Sequence, residues 1–385
     1  MYSTSAGDRC QNFNVSSQPT LRRSCATQIS ALHKAPWLRQ SQLEPEVAGF
    51  ETLNLTSVCF LIEHSGLQRS ILFDCGARTD LENYSTNIKT RLNAIVKGIK
   101  IEGNIDEILV NAGVDLHTID SAIWSHWHWD HVGRPEKFPP STEIIVGPGS
   151  RPCLDANLEN RAVREISFDK SGLQIGQLPA IDLFGDGSLY LLSTPGHAVG
   201  HMCALARTTV TTFVFLGGDI CHFPGMFRPS SHLPLQDTIP QDQLDDHFPI
   251  PCPCDIFTSC HPLQDPASDQ AKSSQFFNVT SRTPSSYHNR EEAMQSISAM
   301  QDFDASDDVL VLIAHDPTLL KVLPLLNDAP LLDLNDWKER GYKARLQWGW
   351  LNELPRDGRP GRSMLVEGAW HNGRGVRDFR EISST

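Results

Sequence analysis

Along most of the chain the apolar residues fall in short, dense runs rather than at helical spacing, and strands are the elements they predict. Residues 53–64 and 69–74 read as two strands divided by a Ser-Gly turn, and 121–125 as a short buried strand. Further strands are predicted at 143–146, 188–193, 202–206 and 211–217, each bounded by glycine, proline or charged turns. Between 84 and 114 the spacing changes: Ile88, Leu92, Ile95 and Val96, then Ile105, Ile108 and Leu109, form the buried face of helical structure. A helix is predicted over 289–302, a strand over 309–314, and helical pieces over 318–326 and 334–346 around intervening prolines. From 223 to 286 the text is rich in Pro, Ser, Asp and Gln with little periodicity, which predicts an irregular, lid-like excursion across the surface. The expected organisation is a polar, poorly structured extension over 1–44, an α/β domain over 45–355, and a loosely held Arg/Gly-rich tail over 356–385.

At 385 residues with 39% hydrophobic content, the chain is long enough for one large domain or two modest ones. No run approaches the roughly 20 apolar residues of a membrane span. The opening MYSTSAGDRCQNFNVSSQ lacks an apolar signal core, so a cytoplasmic protein is expected. The ten cysteines are scattered and read as reduced thiols. Cys252, Cys254, Cys260 and His261 cluster, but the C-x-C spacing is not that of a zinc site. A net charge of −13 argues against a broad nucleic-acid surface, which is built from clustered Lys and Arg.

The chemistry concentrates in SHWHWDHVG, residues 125–133, where three histidines and an aspartate fall within six positions after a predicted strand. On a strand-like path His126 and His128 project to one side, and Asp130 and His131 can curl back toward a neighbouring point. Trp127 and Trp129 would then point away and pack into the fold. Imidazole and carboxylate suit zinc, and a catalytic zinc keeps one position for water. Two sites need more ligands, and His197 in STPGHAVGH, Asp219 in FLGGDI and His315 in VLIAHD each follow a predicted strand. Two such metal ions would lower the pKa of a shared water, supply hydroxide as nucleophile and polarise a carbonyl.

This pattern resembles the metallo-β-lactamase superfamily, in the expected order from about residue 53 to 351. The resemblance implies a four-layer αββα sandwich with the metal site at one edge of its two sheets. It implies two zinc ions per chain, the first held by His126, His128 and His197, the second by Asp130, His131 and His315, with Asp219 bridging. Asp74 in ILFDCG matches a buried aspartate behind the ligands. Within the superfamily the chain resembles the N-acyl homoserine lactone lactonases. It resembles still more the fungal lactonase-like and lactamase-like hydrolases of detoxification or secondary metabolism, through SHWHWDHVG, TPGHAVGH, GGDICHFPGMFRPS and LNDWKERGY.

The resemblance therefore implies a hydrolase that opens a cyclic ester or cyclic amide of a small organic molecule. The alternatives are a thioesterase releasing an acyl or polyketide chain and, with a reduced ligand set, an iron-dependent dioxygenase. Asp130 is the candidate proton shuttle to the leaving group. Where lactonases of this branch place a tyrosine shortly after the bridging aspartate, this chain has His222, a candidate hydrogen-bond donor. His201 reads as a packing or supporting histidine, Phe223 and Phe227 as a candidate apolar substrate wall, and Arg228 as a candidate partner for a substrate carboxylate. Oligomeric state does not follow from ligand spacing.

Overall fold

Within Leu189–Ser193 the strand period of two sends Leu189 and Leu191 into one apolar layer and Tyr190 and Leu192 into another. The same division runs through the computed structural model, which describes residues 24–28, 35–38, 42–154, 158, 160–263, 269–326, 332–356, 359–371, 374–376 and 378–382. Two six-stranded sheets each run in chain order. The first contains β1 (Ser24–Gln28), β2 (Val58–His64), β3 (Arg69–Phe73), β4 (Ile119–Ile123), β5 (Glu143–Val146) and β6 (Val163–Glu165). It is antiparallel as far as β3 and parallel from there. The second contains β7 (Leu173–Ile175), β8 (Leu178–Asp182), β9 (Leu189–Ser193), β10 (Met202–Arg207), β11 (Phe213–Leu216) and β12 (Val309–Leu312). It is antiparallel until β12 joins β11 in parallel.

Between the sheets, Phe60, Ile71, Phe73 and Ile123 meet Leu191, Ala204, Leu216 and Leu312. Helices α1 (Thr86–Ile95) and α2 (Ile105–Asn111) lie in the crossover from β3 to β4. Ile105, Ile108 and Leu109 of α2 cover the outer face of the first sheet at Leu61, Leu72 and Trp124. Helix α3 (Arg290–Ala305), capped by the Asn289 side chain, covers the outer face of the second through Ala293, Ile297, Met300 and Phe303. The layers are thus helix, sheet, sheet, helix, the αββα order the resemblance implied. Because β3 and β4 are parallel, and β9, β11 and β12 run in one direction, the segments leaving each group of strands emerge together at one edge of its sheet.

Several elements differ from the sequence expectation. The stretch 84–114 is two helices separated by a short strand, Gly98–Ile99, and 334–346 is mostly turns, with helix over Tyr342–Leu346. The segment 223–286 is irregular as expected, but it is not a surface lid. Phe223, Phe227, Phe248, Phe257, Phe276 and Phe277 are all buried in the core that packs on the second sheet. Its apolar residues obey no period because little of its backbone is helix or strand, yet burial proceeds without that regularity. Arg228, in this segment, is buried and paired bidentately with Asp304 of α3 at 2.8 and 2.5 Å, so it is a structural clamp and not a substrate contact.

The tail is docked rather than loose. Gly368–His371 pairs with Gly98–Ile99, Phe379 is buried, and the Lys89 ammonium donates to the carbonyls of Glu82 and Ile382 at 2.8 and 3.0 Å. Of the N-terminal extension, 1–23, 29–34 and 39–41 lie outside the described residues, whereas β1 and Ala35–Leu38 add strands to the body. Cys252, Cys254 and Cys260 are reduced thiols, Cys260 Sγ donating to the Pro355 carbonyl at 2.8 Å, and His261 Nε2 faces the Ser274 carbonyl at 3.1 Å. Among the described residues no helix is long and apolar enough to cross a membrane.

Replacing Arg228 with alanine would leave the buried Asp304 carboxylate without its partner. Such a loss costs about 3–5 kcal/mol. A urea titration of Arg228→Ala should show a lowered midpoint of that order, and a midpoint equal to wild type would contradict the clamp.

Candidate metal centre

Strand β4 ends at Ile123, and the chain then leaves the sheet as an irregular loop, not as the strand-like path the alternation suggested. The loop is fixed from behind by Asp74, which follows β3. Asp74 Oδ1 accepts from the Ser125 backbone at 2.7 Å, and Oδ2 accepts from Ser125 Oγ at 2.9 Å and faces His131 Nδ1 at 2.8 Å. Ser57 Oγ donates to the Asp130 carbonyl at 2.9 Å, and Cys75 N to the His131 carbonyl at 2.7 Å. His197 follows β9 on a turn whose Gly196, at φ +124°, lies against the first turn of α3 where a Cβ would strike the backbone of Ala293. Asp219 follows β11 after Gly218, at φ +50°, where a Cβ would come within 2.7 Å of Ser125. His315 follows β12, with Nδ1 hydrogen-bonded to the Thr56 carbonyl, which turns its Nε2 toward Asp219.

These segments bring all seven residues singled out in the sequence into two candidate metal-binding clusters. One joins His126, His128, His197 and Asp219, and the other Asp130, His131 and His315. His197 Nε2 lies 3.1 Å from His126 Nε2 and 2.9 Å from His128 Nδ1. Asp219 stands between the clusters: Oδ2 is 3.5 Å from His197 and 3.7 Å from His126, while Oδ1 is 3.1 Å from His131 and 3.0 Å from His315. His315 Nε2 is 3.8 Å from Asp130 Oδ2.

The donor set fits divalent metal. Burial first, and neighbouring histidines after it, hold His126 well below the ordinary histidine value. Burial likewise lowers His128 and His197, so all three offer neutral nitrogens with free lone pairs. Against the same burial, Asp219 and Asp74 push His131 up, and Asp219 pushes His315 up. The buried carboxylates therefore call for positive charge at the position a cation would take. His131 Nε2 and Asp219 Oδ1 are buried 3.1 Å apart, yet neither makes a well-formed hydrogen bond among the described residues, as expected of ligand atoms aimed at a shared ion. The close nitrogen pairs approach the separation of about 3.3 Å expected for two ligands on one tetrahedral zinc at about 2.0–2.1 Å.

His201 sits behind the cluster, its Nδ1 facing Thr194 Oγ1 at 2.9 Å and its Nε2 accepting from Asp219 N at 3.1 Å, in the supporting position expected of it. His222 is buried, with Nε2 3.3 Å from Asp219 Oδ2 and Nδ1 2.8 Å from the Tyr287 hydroxyl. Asp219, His222 and His315 also satisfy the geometry of a metal group. Tyr287 was not singled out in the sequence, because it lies 65 residues from His222 in an aperiodic stretch and carries no spacing signal.

The neighbouring cavity holds about 380 Å³ and is lined by Ile88 and Arg91 of α1 and by Trp127, His128, Trp129 and Leu154, among others. The aromatic wall beside the site is therefore Trp127 and Trp129. Phe223 and Phe227 are packed in the core instead, with Phe223 against Phe50, Phe277 and Trp350. Trp129 is buried as well as lining the cavity, but Trp127 does not pack away as expected, since strict side alternation applies to strands and this loop is not one.

No family model matches the chain. It is 38% identical over 329 residues to the metallo-hydrolase mfmC of Annulohypoxylon moriforme, covering 81% of this chain and 82% of that protein. Over 334 residues it is 38% identical to the gamma-lactamase FDB1 of Fusarium pseudograminearum (strain CS3096), covering 82% and 78%. A solved N-acyl homoserine lactone hydrolase, with the product N-hexanoyl-L-homoserine bound at its catalytic metal center, superposes with a TM-score of 0.50 over 80% of this chain and 98% of that one. At 18% identity that likeness shows the shared fold.

The Asp74 carboxylate orients His131 and braces the loop, so its replacement by asparagine should weaken metal binding about 10–100-fold with the fold retained. Chelator competition on Asp74→Asn, alongside circular dichroism, measures this. Unchanged affinity would show that the aspartate only braces the loop.

Proposed function

The chain belongs to the metallo-hydrolase and lactonase branch of the metallo-β-lactamase superfamily, and from that premise we propose a binuclear zinc hydrolase that opens a lactone or lactam ring of a small organic molecule. The observation that carries this reading is the convergence of seven imidazole and carboxylate groups beside a cavity of about 380 Å³. His126, His128 and His197 would hold one ion, Asp130, His131 and His315 the other, and Asp219 both. When bound, such a pair supplies hydroxide at neutral pH and polarises a carbonyl.

The chain's own residues account for the remaining steps. In this reading Asp130, whose carboxylate lies 3.8 Å from His315, would take a proton and pass it to the departing ring oxygen or nitrogen. His222 faces the Tyr287 hydroxyl with Nδ1 at 2.8 Å and Asp219 Oδ2 with Nε2 at 3.3 Å, and in the tautomer that carries its proton on Nε2 that proton lies on the side of the site. There it can donate to the oxygen on which charge develops as the ring carbonyl is attacked. Trp127 and Trp129 supply apolar surface for the substrate body. A relative named as a gamma-lactamase supports including cyclic amides among the substrates. This reading places the enzyme in the cytoplasm, in detoxification or secondary metabolism.

Incubation of zinc-loaded protein with a panel of γ-lactones and γ-lactams, followed by chromatographic separation of each substrate from its hydroxy-acid or amino-acid product, is expected to show ring opening. In His222→Ala, kcat should fall by about 100-fold or more. Hydrolysis of thioesters with the rings untouched would replace this reading by the thioesterase, and oxygen uptake by an iron-loaded chain would replace it by oxidation.

A further inference from the structure

Arg91 lies in the middle of α1, and among the described residues it makes no hydrogen bond or ion pair. It is one of the walls of the cavity beside the candidate metal centre. Other described walls include Asn87, Ile88, Trp127, Trp129 and Leu154, and among the described residues no carboxylate lines the cavity.

That combination is unusual for this molecule. Four buried or half-buried arginines elsewhere in the body are matched by carboxylates: Arg78 with Asp80 and Glu136, Arg134 with Asp106 and Glu107, Arg228 with Asp304, and Arg362 with Asp245 and Glu353. With a net charge of −13 the chain as a whole repels anions, so a cation left unmatched at the cavity creates a local exception. A guanidinium is a planar fork suited to a carboxylate, and the indole of Trp127 offers a flat apolar surface nearby. A volume of about 380 Å³ lies toward the small end of ligand cavities, which run from about 300 to 1,000 Å³, and so suits a compact one- or two-ring body.

We propose that the cavity selects small cyclic substrates that carry a carboxylate away from the ring being opened, with Arg91 holding that carboxylate and Trp127 the ring system. This rests on the hydrolase reading for the word substrate, but the recognition itself does not require turnover. Arg91 is thus a specificity-determining residue, and its exposed position on α1 makes it replaceable without disturbing the core.

The test is equilibrium binding, by calorimetry on the metal-loaded protein, of indane-5-carboxylate and the uncharged indane-5-carboxamide, neither of which has a ring to open. Wild type is expected to prefer the acid at least tenfold. Arg91→Gln should reduce that preference at least fivefold, and Arg91→Lys should retain part of it, since the charge survives without the fork. Equal binding of the two probes by wild type, or a smaller reduction in Arg91→Gln, overturns the assignment. A chain that prefers the acid through Arg91 yet opens neither lactone nor lactam would overturn the hydrolase reading and leave this one standing. Ring opening without the acid preference would do the reverse.

Discussion

Asp219 is a buried carboxylate that faces the ring nitrogens of His126, His131, His197, His222 and His315 at 3.0 to 3.7 Å. Placing such a group inside an apolar sandwich is costly unless charge and hydrogen bonds meet it from several directions. Much of the surrounding architecture serves that requirement. Gly218 lets the Asp219 turn approach Ser125, His201 accepts from the Asp219 backbone, and Asp74 and Thr56 fix the rings of His131 and His315 so that their Nε2 atoms face inward. The two sheets matter to function chiefly because their strand directions deliver these turns to one place.

The candidate metal ligands and the cavity wall are built from different parts of the chain. The histidines and aspartates sit on short turns tied to strand ends, while the cavity wall is shared between helix α1, the loop after β4 and the segment at Leu154. This arrangement separates two tasks: strand ends hold the groups that would bind metal, and the wall contributed by α1 can vary with the molecule to be accommodated.

The sequence revealed the centre because SHWHWDHVG concentrates four donor residues in one contiguous loop, and because His197, Asp219 and His315 each follow a run of β-forming residues. Sandwich layers were legible for a related reason: the strands at 143–146, 188–193 and 202–206 are dense apolar runs with clear turn boundaries. Period failed as a guide in two places. The stretch 223–286 buries six phenylalanines without helix or strand periodicity, so polar composition alone suggested a surface path. Trp127 was assigned inward packing by assuming strand geometry in a segment that is a loop. Tyr287 and Arg91 gave no signal, since a contact across 65 residues and an arginine lacking a partner are properties of the folded chain.

The central claim is that this cluster binds two metal ions through a shared carboxylate. Elemental analysis of protein purified without added metal, for wild type, His126→Ala and Asp219→Ala, tests it most directly. The account predicts about two zinc per chain in wild type and a fall in both variants, deeper in Asp219→Ala because that side chain serves both positions. No bound metal in folded wild-type protein, or a single iron unaffected by Asp219→Ala, would contradict it.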